Sequence, residues 1–188
     1  MHIVRSEDYR RMRWKNGDGE TAEIAVFPPE AGLSDFDWRV SMAAVAADGP
    51  FSSFPGIDRT LSILEGEGMT LEIEGKPAIT LTTRSDPLAF PADVPTTAAL
   101  VKGPIVDLNV MSRRTRWTHR VEKWHVEGQH HFDAPGGVTM ILTLGNLRVD
   151  AGHHAVELRR HDCIFIEDVV LLTTDMPVEG YLVRFTKS

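Results

Sequence analysis

Apolar residues in this chain recur in short runs that alternate with polar ones, which is the period of a β-strand. Gly, Pro or Asp interrupts the runs every 6 to 12 residues. Two segments alone allow a turn of helix, 7–14 and 112–124, and in the second Trp117 and Trp124 would share one helical face. The pattern predicts an all-β protein with about thirteen strands: TAEIAVF, DWRVSMAAV, TLSILEG, GMTLEIEG, AITLTT, AALVKG, IVDLNVM, VTMILTLG, NLRVDAG, HAVELRR, CIFIED, VVLLTTD and EGYLVRFT.

A weak internal repeat indicates that the strands form two similar halves. Residues 61–93 align with residues 140–168 in the order strand, Gly turn, strand, Gly turn, strand and Asp. This order resembles the cupin barrel and implies a bicupin, two RmlC-like jelly-roll β-barrels packed in one chain. We predict an N-terminal barrel with the ligand pocket over 1–110, a linker over 111–124 and a C-terminal barrel over 125–188. The prediction allows a strand of one half to be part of the barrel of the other half.

Composition and charge narrow the classes of partner. The 188 residues carry a net charge of −7, which disfavours a nucleic-acid binder despite the basic run RRTRWTHR at 113–120. We expect three of its arginines, Arg114, Arg116 and Arg120, to lie on the surface of a linker helix or at an oligomer interface. A homodimer is therefore one of the alternatives. The chain has one cysteine, no apolar leader and no stretch long enough to span a membrane, so a cytoplasmic protein with an inert Cys163 is expected.

The histidines argue against the metal site common in cupins. Such sites use two histidines one residue apart before the first Gly turn, and here that position reads Asp-Arg-Thr-Leu. The histidines of the second barrel fall mostly at turns, and adjacent residues on a strand point to opposite faces: His125, His130, His131, His153, His154 and His161. We therefore predict no metal and no cofactor.

Four polar stretches instead suggest a pocket for an organic anion. RWKNGDGETAEI presents Lys15 and Asn16 before a glycine, although Asn-Gly is also a common plain hairpin turn. WRVSMAAV places Arg39 and Ser41 on the same face of a strand. The sequence leaves two alternatives for this face: it lines a cavity, or it faces solvent, which is the commoner environment of arginine.

The other two stretches surround the middle of the first half. In FPGIDRT, Arg59 has either a ligand carboxylate or an acid such as Asp58 as its partner, and we expect Asp58 on the pocket floor, orienting Arg59 or a lysine. DLNVMSRR groups Asp107, Asn109 and Met111 on one face, and a buried amide must find partners.

These stretches resemble, in order and nearly residue by residue, the signature segments of the HutD/Ves family over about 110 N-terminal residues. Arg13 and Asp18 depart from the usual proline and glycine of the first motif. The resemblance implies a metal-free bicupin associated with histidine degradation, which binds an intermediate such as urocanate or formylglutamate and restrains its level. The positions that match its motifs, which we predict to bind the ligand, are Lys15, Asn16, Arg39, Ser41, Asp58, Arg59, Asn109 and Arg113.

Two functions follow from this reading. The first is non-catalytic binding of a small carboxylate with a regulatory role. The alternative is a metal-free isomerase, hydrolase or lyase in which Lys15 or Asp58 acts as general acid or base and Arg39 or Arg59 holds the substrate. A third reading, a structural protein whose polar motifs are only turns, is disfavoured because four such motifs occur together.

Overall fold

The computed structural model describes residues 1–14, 17, 19–134, 136–152 and 154–188. Within these ranges the regular secondary structure is all β-strand apart from a 3-10 turn at Ser6–Asp8, and there is no helix of the length and apolar character that a membrane span requires. The strands are β1 His2–Val4, β2 Arg10–Arg13, β3 Gly19–Phe27, β4 Trp38–Val45, β5 Gly49–Pro50, β6 Ile57–Glu65, β7 Met69–Ile73, β8 Ile79–Leu81, β9 Leu88–Pro91, β10 Thr96–Leu100, β11 Ile105–Arg113, β12 Trp117–Phe132, β13 Val138–Thr143, β14 Leu147–Ala151, β15 His154–Leu158, β16 Cys163–Ile166 and β17 Val170–Lys187.

The chain divides into two compact units. The N-terminal unit comprises Arg10–Thr118 with Ser188, and the C-terminal unit comprises Met1–Tyr9 with His119–Lys187. The first nine residues belong with the C-terminal unit because β1 pairs antiparallel with β16. Asp162 strengthens this attachment, since it accepts hydrogen bonds from Arg5 Nη1 at 2.7 Å and Ser6 N at 2.9 Å.

The N-terminal unit consists of two sheets, with a main apolar core and a smaller cluster of Phe36, Ile57, Ala92 and Met111. The six-stranded sheet has the order β2-β3-β4-β11-β6-β9, and the four-stranded sheet has the order β5-β10-β7-β8. Both sheets contribute to the core, with Leu61 and Ile63 from the first and Met69, Leu71 and Ile73 from the second. Alternation along β6 and β7 therefore turns one face of each sheet inward.

The C-terminal unit has a seven-stranded sheet in the order β1-β16-β13-β17-β14-β15, with β12 paired to β17. Its core is apolar, with Trp124, Phe132, Ile141 and Leu182 among its members. The predicted repeat is visible in the pairing, since β6 pairs with β9 and β7 with β8 just as β13 pairs with β16 and β14 with β15.

The helical expectation for residues 112–124 is wrong. This segment contains the end of β11 and the start of β12, a 16-residue strand that pairs with β17. Trp117 and Trp124 are both buried, but an odd spacing along a strand directs them to opposite faces. The segment 7–14 likewise keeps only the end of the 3-10 turn and then forms β2.

Candidate ligand-binding site

Buried polar side chains line the inward face of the six-stranded sheet. The strand register aligns Arg39 with Met111 and Met111 with Arg59, and it aligns Ser41 with Asn109 in the next inward-facing row. Residues directly opposite each other on paired strands share a face, so these side chains lie on the side that also carries the apolar core. The sheet thus brings together four of the predicted ligand-binding residues, Arg39, Ser41, Arg59 and Asn109.

Arg59 lies in an aromatic enclosure. Its guanidinium carbon is 4.9 Å from the ring centroid of Phe51, 5.5 Å from Phe54 and 5.9 Å from Phe90. The residue is only 4% exposed, and Nη2 makes a long hydrogen bond of 3.4 Å to the carbonyl oxygen of Ser52. Its buried Nε has no hydrogen-bond partner among the described residues. One donor of a buried guanidinium is therefore unsatisfied within the described part of the chain.

Arg39 is neutralised within the protein. Its Nε donates to Glu23 Oε2 at 2.6 Å, and both side chains are almost fully buried. Its Nη1 donates weakly to Ser41 Oγ at 3.4 Å. Glu23 lies on β3 opposite Ser41, so the ion pair joins two neighbouring strands. Arg39 consequently brings positive charge to the interior together with its own counter-ion.

Asp107 is the second buried carboxyl of this face. Its Oδ1 accepts a hydrogen bond from Asn109 Nδ2 at 2.5 Å, and the backbone N–H of Ala43 donates to the same carboxyl group. Burial raises its pKa from 3.8 to about 7, against the opposing effects of Arg59, Ala43 and Asn109. Asp107 thus changes charge near neutral pH.

The same electrostatic environment acts on Arg59. Burial lowers the pKa of Arg59 from 12.5 to about 10; nearby Asp107 counters this effect and Arg39 reinforces it. The guanidinium nevertheless stays protonated at neutral pH, where it is the natural partner of a carboxylate.

Asp58 lies away from this group. Neighbouring residues on β6 point to opposite faces, so Asp58 faces away from the core, and its side chain is 44% exposed. It pairs with Arg114 at 2.9 Å, and Arg114 also contacts Asp93. The expectation that Asp58 orients Arg59 is wrong.

Arg113 has a different structural environment from the interior arginines. Its guanidinium donates to the carbonyl oxygens of Phe36 at 3.0 and 3.1 Å and of Ser34 at 3.2 Å, which ties the end of β11 to the segment before β4. Arg113 continues the inward-facing row of β11 opposite Ile57, but these carbonyl oxygens already accept from its guanidinium. Lys15 and Asn16 lie outside the described residues.

The metal of other cupins does not fit this interior. Two guanidiniums, those of Arg39 and Arg59, occupy the inward face, and a permanent positive charge repels a cation. No group of three or more His, Cys, Asp or Glu side chains suited to a metal ion occurs in the part of the chain that the structure describes.

A surface depression of about 500 Å³ lies at the four-stranded sheet and is a less suitable anion site. Its charged lining consists of Glu72, Glu74 and Lys76, and none of the inward-facing arginines contributes to it. The excess of negative charge there disfavours a carboxylate.

Sequence reasoning missed five residues of the interior. Glu23 interrupts the otherwise small and apolar run TAEIAVF, and Asp107 shares the predicted face of Asn109. Both residues could therefore have been recognised from the sequence as polar residues of a buried face. The rings of Phe51, Phe54 and Phe90 carried none, because loops and a distant strand bring them to Arg59.

Comparison with known proteins identifies close relatives. The family model described as HutD matches residues 6–182. The chain is 32% identical over 168 residues to an uncharacterised 21.2 kDa protein in the hutC 3′ region of Pseudomonas putida, which covers 89% of this chain and 87% of the relative. It is also 44% identical over 119 residues to the protein Ves of Citrobacter koseri, covering 61% and 60% of the two chains.

Solved structures agree with this relationship. A conserved protein of unknown function from Pseudomonas aeruginosa PAO1 superimposes with a TM-score of 0.90 at 32% identity, covering 98% of this chain and 97% of the other. HutD from Pseudomonas fluorescens SBW25 gives a TM-score of 0.83 at 30% identity, covering 100% and 98%. YhhW from Escherichia coli, at 8% identity and a TM-score of 0.70 over 97% and 96% of the two chains, shares the fold alone. The predicted cupin β fold is confirmed, and the chain belongs to the HutD family, which is associated with histidine utilisation.

Proposed function

We propose that this protein binds a small carboxylate of histidine degradation, of the urocanate or formylglutamate class, in the interior of the N-terminal unit, without a metal and without turnover. The observation that carries the proposal is Arg59, a guanidinium that is 4% exposed and whose Nε has no hydrogen-bond partner among the described residues. A buried charged donor without a partner is costly, so a ligand that completes its hydrogen bonds gains affinity.

The unsatisfied hydrogen-bonding capacity of Arg59 favours an anion with at least one carboxylate. Arg39 already has Glu23 at 2.6 Å, whereas Arg59 has aromatic rings and a single carbonyl oxygen as direct contacts. The two oxygens of a carboxylate accept in parallel, one from Nε and one from a terminal nitrogen, in the fork geometry that arginine offers. Arg59 is therefore the anchor of the proposed site.

The surrounding side chains restrict the rest of the ligand. Phe51, Phe54 and Phe90 provide flat apolar surfaces around the guanidinium, while Ser41 and Asn109 offer a hydroxyl and an amide on the same sheet face. A short carboxylate with a planar or amide-bearing tail matches that combination. Two or three charge-assisted hydrogen bonds at about 1.5–3 kcal/mol each give roughly micromolar affinity after the cost of binding.

The regulatory part of the proposal rests on family context. The Pseudomonas putida relative is encoded in the hutC 3′ region, and micromolar binding without turnover suits a protein that responds to the level of a metabolite. The single cysteine is free and buried, which agrees with a reducing compartment such as the cytoplasm.

An enzyme is the alternative, and one observation favours it. Asp107 is buried on the same face as Arg59, and its pKa of about 7 is suited to a general acid or base. Asp58 no longer supports this alternative, because it faces outward toward Arg114. Within the described residues, Asp107 is therefore the proton-transfer group of this alternative.

Calorimetry tests the proposal directly. Purified protein of measured metal content is titrated with urocanate, formylglutamate and histidine; we expect micromolar binding of one of the first two in metal-free protein. Arg59→Met should weaken that binding at least tenfold, whereas Arg148→Met, which removes an exposed arginine paired with Asp150, should not change it. Equal affinity in Arg59→Met would contradict the proposed site. A proton NMR time course of the same mixtures separates the two functions. If the natural protein consumes a probe and Asp107→Asn does not, the protein is an enzyme.

A further inference from the structure

The carboxyl group of Asp107 lies on the same buried sheet face as the proposed anion anchor. It is 1% exposed, and its partners are Asn109 Nδ2 at 2.5 Å and the backbone N–H of Ala43. Both partners are neutral groups. The cation that offsets its charge is Arg59, on the neighbouring strand β6 of the same sheet.

The charged side chains of this interior can be assigned strand by strand. β3 contributes Glu23 and β4 contributes Arg39, and these two neutralise each other at 2.6 Å. β6 contributes Arg59 and β11 contributes Asp107. The facing strands β7, β8 and β10 contribute apolar core residues such as Met69, Leu71, Ile73, Leu81 and Ala98. Among the described residues, Arg59 thus has one buried carboxyl to balance it.

We propose that Asp107 is a further ligand-sensing residue of the site: when a carboxylate binds at Arg59, Asp107 takes up one proton from solvent, so that anion and proton bind together. This inference rests on the proposed function of the same pocket. The change balances in charge, since one anion and one proton enter and the carboxylate of Asp107 becomes a neutral carboxylic acid.

The physical reason is competition between two carboxylates for one guanidinium. A second negative charge near Asp107 favours its protonated form, as in carboxylate pairs that share a site. Burial already raises the pKa of Asp107 to about 7, so protonation at neutral pH requires little further change. The protonated carboxyl also gains an O–H donor, which a bound anion accepts.

The coupling makes affinity depend on pH. Once the pH exceeds the pKa of free Asp107, each further pH unit should raise Kd about tenfold, because one proton enters with the ligand. A site without this coupling would show the same Kd at pH 7 and pH 9.

Calorimetry at pH 8 in buffers of different ionisation enthalpy measures the protons taken up. Urocanate and formylglutamate serve as probes, since carboxylates are ionised and an imidazole is neutral at that pH. We expect close to one proton per bound probe in the natural protein and none in Asp107→Asn, together with a Kd that no longer varies with pH. Asp150→Asn, which removes a carboxyl of the C-terminal unit, should keep the uptake.

A second readout guards against a general effect of the substitution. Infrared difference spectra of the natural protein should gain the band of a protonated carboxyl when the probe is added at pH 8, and Asp107→Asn should lack it. Binding without proton uptake would overturn this inference and leave the proposed function standing. Binding of neither probe would overturn both.

Discussion

Replacement of Asp107 by asparagine should change how the stability of the ligand-free protein depends on pH. Asp107 is 1% exposed and its pKa is raised from 3.8 to about 7 by burial. Asparagine has nearly the same shape and keeps a neutral polar group next to Asn109 and Ala43. The substitution therefore removes a titratable group with little change in packing.

The sign and size follow from linkage between protonation and folding. Between about pH 4 and pH 7 the folded protein holds a proton on Asp107 that the unfolded chain has lost, so the free energy of unfolding falls as pH rises. The slope is ~1.36 kcal/mol per pH unit, and the interval from 3.8 to about 7 corresponds to roughly 4 kcal/mol in total. Stability from this group is present in full below pH 4 and is lost as pH passes 7.

Urea unfolding at half-unit steps from pH 4.5 to 8, followed by tryptophan fluorescence, measures the effect. The natural protein should lose about 2.5 kcal/mol relative to Asp107→Asn between pH 4.5 and 6.5. Ser41→Ala, which removes a buried group of the same face that does not titrate, should run parallel to the natural protein. If the free energy of unfolding of the natural protein stays constant relative to that of Asp107→Asn, or rises relative to it as pH increases, Arg59 keeps Asp107 ionised and the reasoning is refuted.

The remaining predictions concern the scaffold of the site and the core of the C-terminal unit. Glu23→Gln should destabilise the protein by about 3–5 kcal/mol because it leaves Arg39 charged and buried without its counter-ion, whereas the double variant Glu23→Leu with Arg39→Met should cost much less; urea unfolding of both variants checks this. If the single variant is as stable as the double one, the pair does not hold β3 to β4. Gly180→Ala should lower Tm by several degrees, because an added Cβ would overlap the carbonyl oxygen of Leu142 and the Trp124 ring; differential scanning calorimetry decides, and an unchanged Tm would contradict the packing.

Local pattern was sufficient for most strands and for the grouping of side chains. Asp107, Asn109 and Met111 were predicted to share a face, and they do, because the period of two is a property of the extended backbone itself. The same reasoning failed for Trp117 and Trp124, whose spacing fits a helix in isolation. Pairing of β12 with β17, some fifty residues away, overrides that local preference.

Two further features depended on distant parts of the chain. The alternation of β6 places Asp58 and Arg59 on opposite faces, but which of them is buried follows from the side on which the four-stranded sheet packs. The ion-pair partners also come from distant parts of the sequence. Arg39 pairs with Glu23 on β3, and Asp58 pairs with Arg114, which follows β11.

The sequence by itself determined an all-β chain, its HutD family and four polar residues of the inward face, since strand period and motif order are written in neighbouring positions. Tertiary structure alone decided that Arg59 is enclosed by Phe51, Phe54 and Phe90 and that Asp107 is buried near it. Burial and charge proximity depend on which strands face each other across the core. For that reason a carboxyl that titrates near neutral pH emerges only from the folded arrangement.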